Sequence, residues 1–247
     1  MKKRLGVCAT EVPSDGQGTL NGNPKRIDAA RNVLDRLAHW ADMVHLLAFP
    51  AGFLRARSEE GLLETAAPLL THARRVGLGV MFGVDTEPLR LLPPRRVREG
   101  TLPSFLVAWA PGMDEAVAWR QRSRTRMDAR LVTDHAPRVL RVAGYDVAPL
   151  ISGELASPGL REGLVRRQPE VTILCAHFNT GQHHWAGLDA LRAKGVCSIR
   201  TVHAAHGTSQ LLCAYRGYRL SNMMWREAGI FCFSYFIDDA DHALDAA

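Results

Sequence analysis

The chain has 247 residues, 47% of them apolar, enough to bury one sizeable core in one large domain or two small ones. Its formal charge of +6 raises the question of an anionic partner, yet only Lys2, Lys3, Lys25 and Lys194 are lysines, and arginine is spread along the chain without interleaved aromatics. Genome base composition explains such an arginine excess without nucleic acid. No segment is apolar for long enough to cross a bilayer, and Thr10 and Glu11 break the first apolar run too soon for a secretory signal.

In chain order, Leu5 to Ala9 predicts a short buried strand. Asn23-Pro24 reads as a cap followed by proline at the first helical position, with Ile27, Ala30, Leu34, Leu37 and Ala41 on one helix face. Met43 to Phe49 is a second strand, apolar on both faces. Ser58 then caps a helix that carries Glu59 and Glu60 in its first turn and buries Leu62, Leu63, Ala66, Leu69, Leu70 and Ala73, with Gly77 as its stop. Leu78 to Val84 returns as a strand, so the order is that of a layered α/β sheet.

Leu91 to Pro103, with Pro93-Pro94 and the basic run at 95–98, reads as a surface excursion within a single domain spanning 1–247. Gly144 to Ile151 is a strand, Ser157-Pro158 opens a helix over Leu160 and Leu164, Val171 to Ala176 is a strand, and a helix runs through Leu188 and Leu191. Ser198 to Val202, Ser209 to Tyr215 and Ile230 to Phe236 read as strands that close the sheet. The cysteines at 8, 175, 197, 213 and 232 are odd in number and show no Cys-x-x-Cys spacing, which suits buried thiols in a reducing cytoplasm.

Two strand ends carry the most specific residues: Phe49-Pro50-Ala51 and Ile151-Ser152-Gly153-Glu154. Asn179-Thr180-Gly181-Gln182-His183-His184-Trp185 follows, then Leu188 and Arg192-Ala193. With Asp42-Met43-Val44, Gly144, Pro158 and Arg161 in the same order, these segments resemble the carbon–nitrogen hydrolases, the nitrilase superfamily. The resemblance implies an α/β fold, a four-layer α-β-β-α sandwich, paired as a homodimer through helices beside the active site. It implies a cysteine thiolate that attacks a nitrile or amide carbon, a glutamate base and a lysine over the oxyanion. It also places Phe49, Asn179, Thr180, His184 and Trp185 around a small amide, acid or acyl ligand, and no cofactor is expected.

The reactive positions depart from that pattern. Ala51 stands where the general base belongs and Ser152 where the thiol belongs. No lysine occurs between residues 115 and 130, so Arg122 or Arg124 is the nearest cation, and an arginine does not shuttle protons near neutral pH. The first expectation is therefore a degenerate nitrilase-like protein that lacks amide or nitrile hydrolysis and keeps a small-molecule pocket or scaffold role. An alternative is a hydrolase or acyltransferase with Ser152 or Cys175 as nucleophile; Glu154 would serve as base if the turn brought it back. Ser152 otherwise fills the space of a lost thiol, and Cys175 with His177 otherwise form a core cysteine and a strand-end histidine.

His203-x-x-His206 has ligand-like spacing, but no cysteine or carboxylate completes a set, and no metal site is expected. Arg120, Arg122, Arg124 and Arg126 would form an anion-binding row in an extended segment, the basis of a nucleic-acid reading, and would scatter into solvent in a helix.

Overall fold

The computed structural model describes residues 4–13, 20, 22–86, 104–123, 132–178, 182–204 and 223–238. The first half contains β1 (Arg4–Pro13), α1 (Asn23–Ala38), β2 (Leu46–Ala48), β3 (Leu54–Ala56), α2 (Leu62–Val76), β4 (Gly79–Thr86), β5 (Ser104–Trp109) and β6 (Val117–Arg120). The second contains β7 (Leu140–Val142), β8 (Tyr145–Ile151), a 3-10 turn (Ser152–Ala156), α3 (Pro158–Arg167), β9 (Val171–Phe178), α4 (Gln182–Arg192) and β10 (Ser198–Ala204), followed by β11 (Met223–Glu227) and β12 (Ile230–Asp238).

The strands join in the order β6-β5-β4-β2-β1-β10-β9-β8-β7, with β12 antiparallel beside β1 and β11 beyond it. Side chains alternate across each strand, and this alternation builds the layers. Leu5, Val7 and Ala9 of β1 meet Val171, Ile173 and Cys175 of β9 in an apolar cluster between the two halves of the sheet. On the opposite face of the first half, Cys8, Leu47, Phe82 and Val107 pack against Ala30, Leu34, Leu69 and Ala73 of α1 and α2. On the opposite face of the second half, Leu150, Leu174 and Val202 pack against Leu164 of α3 and Leu188 and Leu191 of α4. Three apolar seams thus separate helix, sheet, sheet and helix, the expected α-β-β-α sandwich. Among the described residues no helix is long and apolar enough to cross a membrane.

Several element boundaries differ from the sequence expectation for local reasons. Asn23 does not cap α1: Gly22 is the cap, and the Asn23 side chain accepts from Arg55 N at 2.9 Å and donates to Arg55 O at 2.6 Å, spending itself on β3. Ser58 likewise precedes the helix; Gly61 is the cap, and its N–H donates to Ser58 Oγ at 3.3 Å. The second strand is confined to Leu46–Ala48, because Met43 and Val44 close turns onto Trp40 O. Met43 and Leu63, expected in the core, are half exposed. Gly77 does end α2 in a left-handed conformation, and Ser157 does cap α3, its Oγ accepting from Leu160 N. Leu91–Pro103 and Ser209–Tyr215 lie outside the described residues.

Candidate functional site

The carboxyl ends of β2, β4, β8, β9 and β10 gather the residues that the sequence singled out. The loop after β2 is held by bonds to nearly every carbonyl. Thr10 Oγ1 donates to Ala48 O at 3.0 Å, Gly83 N to Pro50 O at 3.0 Å, and the buried Arg26 guanidinium to Gly52 O at 2.9 Å and Phe53 O at 2.7 Å. His203 Nε2, from β10, lies 3.0 Å from Ala51 O. Glycine is required at 83: a Cβ there would stand 2.3 Å from Ala51 Cα, so β4 passes under the loop only without a side chain. Ala51 is fully buried, and its methyl belongs to the seam between the two sheet halves.

Phe49 points the other way, on the face it shares with Leu47 of β2, because the loop that follows breaks the alternation before Ala51. Its ring is buried in the seam beneath α1 and α2 and stacks on Phe53 with centroids 4.2 Å apart, so the side chain expected at a ligand pocket is a core residue.

Ser152 opens the 3-10 turn after β8 with a positive φ of 38°, a conformation unusual outside glycine. The turn is held by Glu154, 1% exposed, whose carboxylate accepts from Ile151 N at 3.0 Å, Arg122 N at 2.6 Å and Arg138 Nη1 at 2.9 Å. Arg138 also donates to Arg120 O, and its desolvated guanidinium has its pKa pushed down by burial, with Glu154 opposing that shift. Behind the turn a cavity lined in part by Arg122, Arg138 and Glu154 has room for about one water. The turn thus brings Glu154 back toward β8, where it acts as a staple.

The Arg122 guanidinium is taken up by the segment before β7. Nη1 donates to Asp134 O at 3.0 Å and Ala136 O at 2.7 Å, while Nη2 lies 3.6 Å from Asp134 Oδ2. Arg120 ends β6 in solvent, 4.0 Å from Glu59, so the two described members of the arginine row point to different partners. Arg124 and Arg126 lie outside the described residues, as do Asn179, Thr180 and His206. His184 and Trp185 fall in the first turn of α4.

Cys175 pairs in register with Ile151 across β8 and β9 and is fully buried in the central seam. Burial pushes its thiol pKa up to about 12, and the negative charge of Glu154 adds to the effect. At neutral pH it is a protonated core thiol, not a thiolate nucleophile.

On sequence His177 stands out as the imidazole beside Cys175 and as one of several histidines, whereas nothing singles out Asp85. His177 Nε2 lies 2.9 Å and 3.1 Å from the Asp85 carboxylate oxygens, joining β9 to β4 across the sandwich, with both side chains buried. No local pattern marks a pair 92 positions apart. Among the described residues no group of three metal-ligating side chains converges.

No protein-family model matches the sequence, and no curated protein matches it. Solved structures do match the fold. A double mutant of the amidase from Nesterenkonia sp. AN1 in complex with acrylamide superimposes with a TM-score of 0.60 at 13% identity, over 99% of this chain and 94% of that one. A cysteine-to-serine mutant of the same nitrilase-superfamily amidase gives 0.60 at 13% identity, over 98% and 93%. A CN-hydrolase superfamily protein from Xanthomonas campestris with an arsenic adduct in its active site gives 0.56 at 15% identity, over 83% and 78%. The chain has the fold of the nitrilase superfamily.

Proposed function

We propose that this protein uses the nitrilase fold to bind a small amide, acid or acyl compound and does not carry out the thioester hydrolysis of nitriles or amides. One observation carries the reading: the groups expected to do the chemistry are committed elsewhere. Glu154 is held by two backbone N–H groups and Arg138, and the Arg122 fork is held by the carbonyls of 134 and 136. Position 51 offers a methyl group, position 152 a hydroxyl, and Cys175 a thiol that burial keeps protonated. The Nesterenkonia amidase complex with acrylamide indicates the size of compound that this fold takes at its site.

The expected outcome is no turnover on a panel of aliphatic and aromatic amides and nitriles, together with a thermal shift or calorimetric signal from a small amide or carboxylic acid. Absence of the base alone removes about 10² to 10⁴-fold in rate. Turnover by the wild-type protein that disappears with Ser152→Ala or with Cys175→Ala would overturn the reading. With no turnover, restoring Ala51→Glu, Ser152→Cys and Arg122→Lys together tests whether the reactive groups alone were lost.

A further inference from the structure

Where the central seam reaches the carboxyl ends of the strands, its apolar lining gives way to buried polar groups. Asp85 continues the inward face of Met81 on β4, and Glu11 that of Leu5, Val7 and Ala9 on β1. His177 follows Cys175 on β9, and His203 follows Ile199 and Thr201 on β10. The register between β9 and β10 slips by one residue here: Thr201 opposes Cys175, whereas His203 opposes Phe178. Such a slip marks a bulge that interrupts the regular ladder beside His177 and His203.

The Asp85–His177 pair sits against both strand ends of the candidate site. On one side is Gly52, the residue after Ala51; a Cβ on it would stand 2.7 Å from Asp85 Oδ2 and 3.0 Å from His177 Cδ2. On the other is the Ser152 turn, which packs on β9. Ile151 opposes Cys175 in parallel register, so the turn that opens at residue 152 leaves β8 beside the end of β9 that carries His177. The carboxylate accepts and Nε2 donates, which fixes the ring orientation, as in acid–base pairs that hold an imidazole by a buried acid.

We propose that Asp85 and His177 are the acid–base pair of this site, supplying from β4 and β9 the proton acceptor that β2 lacks at Ala51, so that a nucleophile at residue 152 gives up its proton to them. The proposal rests on the reading above only in placing residue 152 at the site. The pair shares its surroundings with the carboxylates of Glu11 and Glu154, the imidazole of His203 and the neutral thiol of Cys175.

A thiol at 152 makes the proton transfer measurable. In the Ser152→Cys protein, iodoacetamide labelling of residue 152, read by mass spectrometry across pH, should have a half-point at least about one unit below the ordinary thiol value near 8.5. Asp85→Asn and His177→Gln, each near-isosteric and added singly, should return it to 8.5 or above, slowing labelling at pH 6.5 by about ten-fold or more. A half-point at or above 8.5 in the parent variant, or one that both replacements leave in place, overturns the proposal. A pair that merely clamps the sheets would lower the unfolding midpoint and leave the labelling curve where it was; if one replacement does not fold, the other decides. Amide turnover by the wild-type protein would sink the binding reading and leave this titration untouched.

Discussion

Cys175 is a group whose chemistry is decided by its surroundings. On sequence it stands two residues from a histidine on one strand, an arrangement that fits a nucleophile and its base. In the fold it lies in the seam between two sheets, and its thiol ionises only near pH 12. The shift has a consequence for stability. Below about pH 7.5 the thiol is protonated in both folded and unfolded chains, and its contribution is fully retained. As the pH rises toward 12 the unfolded thiol ionises while the folded one does not, so stability falls by up to about 1.4 kcal/mol per pH unit. Cys175→Ala should flatten this alkaline limb, whatever it costs at neutral pH through the lost volume. Urea unfolding at several values between pH 8 and 11 measures the slope, and an unchanged slope would contradict the assigned burial.

At the scale of elements, the Ser152 turn depends on one carboxylate. Glu154 satisfies two backbone donors and the buried Arg138 guanidinium, which would keep its bond to Arg120 O but lose its counter-charge if that carboxylate were neutralised. Glu154→Gln should therefore cost about 3 to 5 kcal/mol, the usual penalty of leaving a buried charge unpaired. The double change Glu154→Leu with Arg138→Met should cost less than Glu154→Gln alone, because it removes both charges together; a urea midpoint series tests the order. Such a staple is not legible in the sequence, since Arg138 and Glu154 belong to different segments and nothing local ties them. What is legible is local chemistry. Ser157-Pro158 and Gly77 mark helix ends because a cap or a left-handed stop needs only its own neighbours, and β4, β8 and β9 stand out because they are apolar on both faces. Asn23 and Ser58 mislead for the same reason inverted: their side chains take partners, or positions, outside the helix they precede. The edge strands β3, β6 and β7, of three or four residues, are too short for any periodicity and form only because a neighbour offers backbone bonds. The Asp85–His177 contact exists only after the two sheet halves have closed.

At the scale of the whole molecule, the candidate site lies between strand ends that belong to different halves of the sheet: β2 and β4 from one, β8, β9 and β10 from the other. A site built in that way is as rigid as the contact between the halves, and anything that braces the second half braces the site. Resemblance to the nitrilase superfamily implies bracing by a second copy through helices beside the site. The helix here that follows the Ser152 turn, α3, buries Leu160, Gly163 and Leu164 and turns Glu162, Arg166 and Arg167 outward, so a contact made through it is charged and not apolar. We therefore expect light scattering at micromolar concentration and low salt to give twice the chain mass of 27.2 kDa. Raising sodium chloride from about 0.05 M to about 0.5 M should weaken the dimer, because the Debye length shrinks severalfold and exposed charge pairs are screened. Reversal of Arg166 to glutamate should act in the same direction as salt without touching the buried face of α3 or the Arg167–Asp146 pair. A single-chain mass at low salt would refute the dimer, and a dimer indifferent to both salt and charge reversal would place its contact on a face other than α3.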